Sequence, residues 1–405
     1  MDRSVTRETI AGEFWTPEKP EVKISGKLLI NIDGSFSLEI TKAFSCDDCV
    51  FESAVYGMLA NEKKVSMHGP VYMSKTIGLG DVQPSVLSSS ILYLGSDYLE
   101  NKESLKGTVF KTRLQGLDAW FEEENQRVKK ISRDITNLKF SGLTITFRYD
   151  GSNNTDLNSS VSSANSETLV SLEEFQNGLH RAVTFLSFAT GKILQQGKTQ
   201  LTNGSDTWDL YYKPAFFSER KQTFVTPLFR SGEKDLQQKF DKWNKVYDDF
   251  LPLIVLYFLP KINKIDTNTD FILKAQLIEA LHRKLERKNE MVYNLRIKNI
   301  VSRPKYTALL FPAQSQDSLS KLCKNITSAR NYFTHYSQKG PPEAASPANL
   351  PFLTFKLETI IDLYLLDKIG FDKAYFEKIK HSIINDKFTR QRAVGRFLER
   401  KQGGN

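Results

Sequence analysis

Over the first 150 residues, apolar positions alternate with polar ones in short runs. Phe36, Leu38 and Ile40 alternate within Ser35 to Ile40, and Asp33-Gly34 separates that run from Val22 to Ile30. This pair is predicted to form a β-hairpin. Similar runs follow at Val65 to Tyr72, Ser90 to Leu94 and Leu143 to Tyr149, with Gly78-Leu79-Gly80 as one of the breaks. The pattern predicts a β-rich domain of the sandwich or barrel-like kind. Asp150 to Glu167 is almost wholly Ser, Asn, Asp and Gly, too polar to offset ordering entropy by burial, so 150–167 is expected to be a mobile loop. A helix is expected from Leu172 to Thr190 with Gly191 as its C-cap. A strand pair at Trp208 to Tyr212 and Thr223 to Val225 would then return to the β-domain.

From Gly232 the period changes. Leu236, Phe240, Trp243, Val246, Tyr247 and Phe250 recur at three and four residues, the spacing of an amphipathic helix. A second helix, with Thr269 or Asp270 as N-cap, carries Ile272, Leu277, Leu281 and Leu285. A third runs from Ser318 to Tyr336 and stops before Gly340-Pro341-Pro342. Helices at Leu353 to Ile369 and Lys373 to Lys387 complete an all-α bundle. The expected fold class is therefore α+β: residues 1–230 form a β-rich domain with an inserted helix, and 231–405 form a helical bundle. No internal repeat is visible.

The length of 405 residues suits two domains, and 40 % hydrophobic with 25 % charged residues is the balance of an ordinary globular protein. No run approaches the roughly 18 apolar residues of a membrane span. The best, Phe250 to Pro260, contains two prolines and reads as a buried helix, so no membrane partner is expected. The first residues lack the apolar stretch of a secretory signal, and three cysteines make no disulfide framework. The expected location is cytoplasmic. Net charge is +9, and its distribution is uneven: from Phe271 onward there are 24 Lys/Arg against 12 Asp/Glu. That third is expected to meet a polyanion such as RNA, or else to be a lysine-rich solvated surface.

Within the third helix of the bundle lies Arg330-Asn331-Tyr332-Phe333-Thr334-His335. Arg and His separated by four residues, with a polar residue just after the Arg, resemble the signature of HEPN ribonucleases. The residue types suit metal-free RNA cleavage. Histidine offers a proton-transfer group near neutrality, and arginine a permanent forked cation to hold a phosphate as charge builds up. The RNA itself would supply the 2′-hydroxyl nucleophile. Asn331, sharing a helix face with His335, would hold the phosphate or orient the imidazole. On a straight helix His335 lies about 140° round from Arg330, which sits near the apolar stripe of Leu319, Leu322, Ile326 and Phe333. Either the helix bends or two chains assemble the site.

The resemblance extends to the ApeA-type anti-phage family. In the front part it rests on Gly12-x-Phe14-Trp15-x-Pro17, Ser25-Gly26-Lys27-Leu28, Leu117-x-x-Trp120-Phe121 and Phe185 to Gly191. In the bundle it rests on Glu279-Ala280-Leu281-His282 and Arg330 to His335. This resemblance implies an endoribonuclease in bacterial abortive-infection defence, a homodimer formed through the HEPN domain, a phage-derived trigger and no cofactor. It also implies an accessory polar residue from an early helix, for which Glu279 and His282 are candidates; a solvated face is the alternative. A basic tail with Arg390, Arg392 and Arg396 would suit an RNA backbone or, equally, a dimer-packing helix. His381 reads as a surface histidine. Cys46 and Cys49 form a lone C-x-x-C without further ligands, so no metal is expected. Gly191 to Thr199 imitates a P-loop but has five residues between its glycines where four are needed. The rival to the nuclease is a non-catalytic HEPN module that only binds RNA or a protein.

Overall fold

The computed structural model describes residues 8–31, 34–44, 54–74, 85–100, 105–117, 120–121, 133–149, 159–212, 226–263, 265–287, 290–310, 316–335 and 340–379. Two compact units emerge, one of Met1–Ser187 with Leu194–Phe217 and one of Phe188–Ile193 with Ser218–Asn405.

The first unit is built on antiparallel strands. In chain order these are β1 (Glu8–Trp15), β2 (Ile24–Ile30), β3 (Phe36–Ile40), β4 (Ala54–Leu59), β5 (Lys64–His68), β6 (Val71–Ser74) and β7 (Ser85–Ser88). They continue with β8 (Leu92–Gly95), β9 (Lys106–Gln115), β10 (Arg133–Phe140), β11 (Leu143–Tyr149), β12 (Ser159–Ser171), β13 (Gln195–Asn203) and β14 (Asp206–Tyr211). All are joined in one hydrogen-bonded series, β10-β11-β12-β9-β13-β14-β8-β5-β4-β1-β2-β3-β7-β6, whose two edge strands do not pair among the described residues. The predicted hairpin is present as β2–β3, with Leu28 opposite Leu38 and Gly34 at φ 79°. A side chain there would meet the Tyr212 carbonyl oxygen at 2.6 Å. Alternation buries Phe14, Leu28, Leu38, Val55, Val65 and Leu92 in one apolar core.

Residues 159–167 correct the expected loop over 150–167, because they open the long strand β12. It pairs β11 on one side and β9 on the other. Its small side chains are what make it fit. Ala164 lies opposite Phe110 and Ile145, and Ser162 opposite Thr112 and Phe147, so large neighbours fill the space that the small residues leave. Residues 150–158 lie outside the described residues, as does the expected strand Thr223 to Val225. Among the described residues β14 pairs with β13 and β8.

Helix α1 (Leu172–Thr190) starts on a capping box. The Ser171 hydroxyl accepts from the Glu174 N–H at 3.3 Å, and the Glu174 carboxylate accepts from the Ser171 N–H at 3.1 Å. It ends where Gly191 adopts φ 67°, as expected. The Phe175 ring stacks on Phe110 at 5.7 Å.

The second unit is helical: α2 (Leu236–Ile262), α3 (Thr267–Leu285), α4 (Tyr293–Val301), α5 (Pro304–Leu310), α6 (Gln316–His335), α7 (Leu350–Lys368) and α8 (Lys373–Ile379). Helix α2 kinks at Phe250 (φ −141°), two residues before Pro252, whose ring clashes with the preceding turn. The N-cap of α3 is Asp266, not Thr269 or Asp270: its carboxylate accepts from the Asn268 and Thr269 N–H groups at 2.9 and 3.0 Å. Helices α4 and α5 are additions to the expected set. No described helix is long and apolar enough to cross a membrane.

Helix α7 is the centre of this unit, with Leu357, Ile360, Ile361, Tyr364 and Leu366 fully buried. Polar contacts fix its register. The Tyr257 hydroxyl of α2 donates to Asp362 at 2.7 Å, and Lys274 of α3 pairs with Glu358 at 2.9 Å. At the far end Glu286 accepts from Arg303 (2.7 Å), Tyr364 (2.9 Å) and Lys368 (2.9 Å). Asp367 accepts from Arg303 (3.0 Å), Tyr306 (2.8 Å) and Lys305. Partial burial pushes the Glu286 carboxyl up, but the bonds from Lys368, Arg303 and Tyr364 outweigh it and hold it at about 2.

A carboxyl held below its ordinary 4.5 stabilises the fold fully above that pH and loses the contribution as pH falls towards 2. Glu286→Gln is therefore expected to melt below the parent at neutral pH, with the gap closing between pH 4.5 and about 2. Melts followed by circular dichroism at stepped pH check this; a gap independent of pH contradicts it.

Candidate active site

Helix α6 carries the Arg–Asn…His motif in its last turns. Leu319, Leu322, Cys323, Ile326 and Ala329 are buried, and this stripe docks the helix on its neighbours. Burial pushes the Cys323 thiol up to about 11, so it packs as a small apolar group. Arg330 borders the stripe and is only 23 % exposed in its side chain, while Asn331 and His335 face outward. On a regular helix the two side chains of Arg330 and His335 leave about 140° apart.

Arg330 is held on three sides. Its Nη2 donates to Glu279 Oε2 of α3 at 3.2 Å, its Nη1 to Asn331 Oδ1 at 3.3 Å, and its Cζ lies 5.1 Å from the centre of the Tyr293 ring of α4. Glu279 is shared, since Oε1 accepts from Arg283 at 2.9 Å. The ion pair and the ring face together hold the guanidinium in place. His335 makes no hydrogen bond or ion pair among the described residues.

The two accessory candidates separate. Glu279 reaches Arg330, whereas His282, one turn on, is fully buried and faces α4. The His282 Nδ1 lies 3.4 Å from the Arg296 Nη1, and its Nε2 lies 3.1 Å from the Asn299 Oδ1. An arginine can only donate, so Nδ1 is the acceptor and Nε2 carries the proton that Asn299 receives. His282 is thus a neutral ring that ties α3 to α4. Burial depresses its pKa, the bond to Asn299 opposes this, and the Arg296 charge adds to the depression.

Tyr293, Arg296 and Asn299 complete the surroundings of the motif. Their helix was missed in the sequence because it spans only nine residues. The signal was there: Tyr293, Ile297 and Ile300 are buried and recur at three and four residues. Arg390, Arg392, Arg396 and His381 lie outside the described residues, and so do Cys46 and Cys49. Among the described residues no group of three or more His, Cys, Asp or Glu could hold a metal ion. Gly191 of the P-loop imitation ends α1, and β13 follows it, the reverse of strand–loop–helix.

A sheet-rich unit followed by a helical unit, with an Arg–Asn…His motif ending one helix, defines a HEPN-type two-domain architecture. The family comparisons agree with it. The model of ApeA N-terminal domain 1 matches residues 9–243, more than half of the chain, and the model of Apea-like HEPN matches residues 261–375. The chain belongs to the ApeA family, with an Apea-like HEPN domain that includes Glu279, Tyr293, Arg330 and His335. No curated protein and no solved structure matches it.

The hydrogen-bond pattern fixes an expectation for His282. A group whose neutral form is favoured by the fold costs stability once the unfolded chain protonates, so stability falls as pH drops below the ordinary 6.5. The His282 ring nitrogens are expected to keep the neutral Nε2–H pattern at pH 6.5 and to titrate below it, as read by ¹⁵N NMR. An imidazolium at that pH contradicts the assignment.

Proposed function

We propose that this protein is a metal-independent endoribonuclease of abortive-infection defence, with Arg330, Asn331 and His335 as its reacting groups. The observation that carries this reading is Arg330. Its guanidinium is pinned by Glu279 and the Tyr293 ring at the edge of the core, bonded to the exposed Asn331 and on the same helix as the exposed His335.

The chemistry follows from the groups. A 2′-hydroxyl loses its proton to a base and its oxygen attacks the adjacent phosphorus. The bond to the 5′-oxygen breaks, and that oxygen takes a proton from an acid. The products are a 2′,3′-cyclic phosphate and a 5′-hydroxyl. His335 serves as base or acid, Arg330 stabilises the charge on the phosphate oxygens, and Asn331 positions the phosphate. Because Arg330 and His335 diverge on one helix, the reading includes a homodimer in which Arg330 of one protomer works with His335 of the other around a two-fold axis. Residues 1–230 would form a regulatory part that responds to a phage-derived trigger in the cytoplasm, and residues 231–405 the catalytic part. Arg390, Arg392 and Arg396 would extend the RNA footprint.

His335→Ala and Arg330→Ala are each expected to lower cleavage in the presence of EDTA by roughly 10²–10⁴-fold. Thermal melts accompany the arginine variant because its side chain adjoins the core. After subunit exchange, an equal mixture of the two variants is expected to regain about a quarter of parental activity, because half the dimers are mixed and each keeps one intact composite site. No recovery means that both groups act from one chain. Full cleavage by both variants leaves the non-catalytic binding module as the correct reading.

Neutralising Arg390, Arg392 and Arg396 together is expected to flatten the dependence of log affinity on log salt by up to about 2, at roughly 0.7 per phosphate contact for a single strand. Fluorescence anisotropy with labelled single-stranded RNA measures the slope. An unchanged slope removes the tail from the footprint.

A further inference from the structure

Tyr293 carries an anomaly. It begins α4 between the exposed Val292 and the nearby exposed Leu295, yet its own side chain is buried. Its hydroxyl is inaccessible to solvent and has no hydrogen-bond partner among the described residues. Buried tyrosine hydroxyls usually have one, and leaving a polar group unpaired in the interior is destabilising. A phenylalanine would pack the same ring without that cost.

The neighbours suggest what the hydroxyl is for. The Tyr293 ring lies under the Arg330 guanidinium, and the same guanidinium holds Glu279 Oε2. Phenol, guanidinium and carboxylate form one cluster. Burial and the negative charge of Glu279 push the phenol's pKa up while Arg330 opposes them, so the group stays protonated and can donate. If Arg330 turns its fork towards a phosphate, Glu279 keeps Arg283 on Oε1 but Oε2 loses its donor. A half-buried carboxylate oxygen stripped of its partner is costly unless another donor replaces it.

We propose that Tyr293 is a positioning residue for Arg330, whose ring holds the guanidinium before substrate binds and whose hydroxyl donates to Glu279 when a phosphodiester of RNA draws the guanidinium away. This rests on the reading of Arg330 as the phosphate-binding group. Part of the stability of the resting fold is given up so that the exchange of partners on substrate binding is nearly balanced.

Tyr293→Phe isolates the hydroxyl, and Tyr293→Leu removes the ring as well. Three measurements on the full chain separate the roles: the melting temperature, the affinity for a 2′-O-methyl RNA oligonucleotide, and kcat and KM on unmodified RNA. The oligonucleotide keeps the phosphates but lacks the nucleophile, so its binding is read without cleavage. Tyr293→Phe is expected to melt no lower than the parent, to weaken oligonucleotide binding and raise KM about tenfold, as for a lost bond to a charged group, and to leave kcat within about twofold. Tyr293→Leu is expected to lower kcat in addition, because Arg330 loses its platform. Parental affinity and KM in Tyr293→Phe overturn the proposal, whatever its melting temperature; if the parent cleaves RNA, the nuclease reading survives that result. Weakened binding by Tyr293→Phe in a protein that binds but does not cleave supports Tyr293 and removes the nuclease reading. A parent that neither binds the oligonucleotide nor cleaves RNA removes both.

Discussion

Arg330 and His335 sit five residues apart on one rigid helix, and 3.6 residues per turn leaves them about 140° apart. The site's other properties answer to this constraint. The apolar stripe of α6 must face the core, which carries Arg330 to the core's edge and leaves His335 in solvent. A cation at such an edge needs compensation, and Glu279 supplies it from α3 while the Tyr293 ring supplies it from α4. The guanidinium is thereby oriented by the fold, not by its own rotamer preferences. His335 has no such ties among the described residues, as the proposed proton-transfer role would want. On a regular helix the two groups leave in different directions, which is the physical ground for the proposal of a composite site.

Compensation of charge also organises the rest of the helical unit. Glu286 and Asp367 gather Arg303, Lys305 and Lys368 together with the hydroxyls of Tyr306 and Tyr364. Lys274 bridges Asp270 and Glu358. These pairs join α3 to α7 at both ends, and His282 with Arg296 and Asn299 joins α3 to α4. Helix α3 is thus held along its length, which fixes where Glu279 meets Arg330. Several of the basic residues counted in the last third of the sequence are internal partners of carboxylates, so the net excess of this third resides in the others.

The sheet-rich unit follows a different logic, in which backbone pairing outweighs side-chain composition. Ser159–Ser171 is mostly Ser, Asn, Thr and Glu, yet β9 and β11 satisfy its backbone groups from both sides and set large side chains opposite its small ones. Lys63 and Gln200 place two hydrogen bonds on the buried Asp209, each at 2.7 Å, so that polar group too is satisfied.

By itself the sequence determined the elements whose signals are local. Alternation located the β2–β3 hairpin, three-four spacing located α2 and the apolar stripe of α6, and a C-cap glycine ended α1 at Gly191. The phase of α6 followed from counting, and the structure agrees in burying its apolar stripe while leaving Asn331 and His335 exposed. Local signals that went unread were the capping box at Ser171 and Glu174 and the short period of α4. What only the tertiary structure decided were contacts between segments far apart in the chain. The polar composition of β12 concealed a central strand because its stability comes from two neighbours that composition does not reveal. Glu279 and His282 are equivalent in sequence, one turn apart on α3. They were separated by which helix packs over each: α6 brings Arg330 to the first, and α4 brings Arg296 and Asn299 to the second. Periodicity sets the direction in which a side chain leaves its helix, but what waits there is decided by packing.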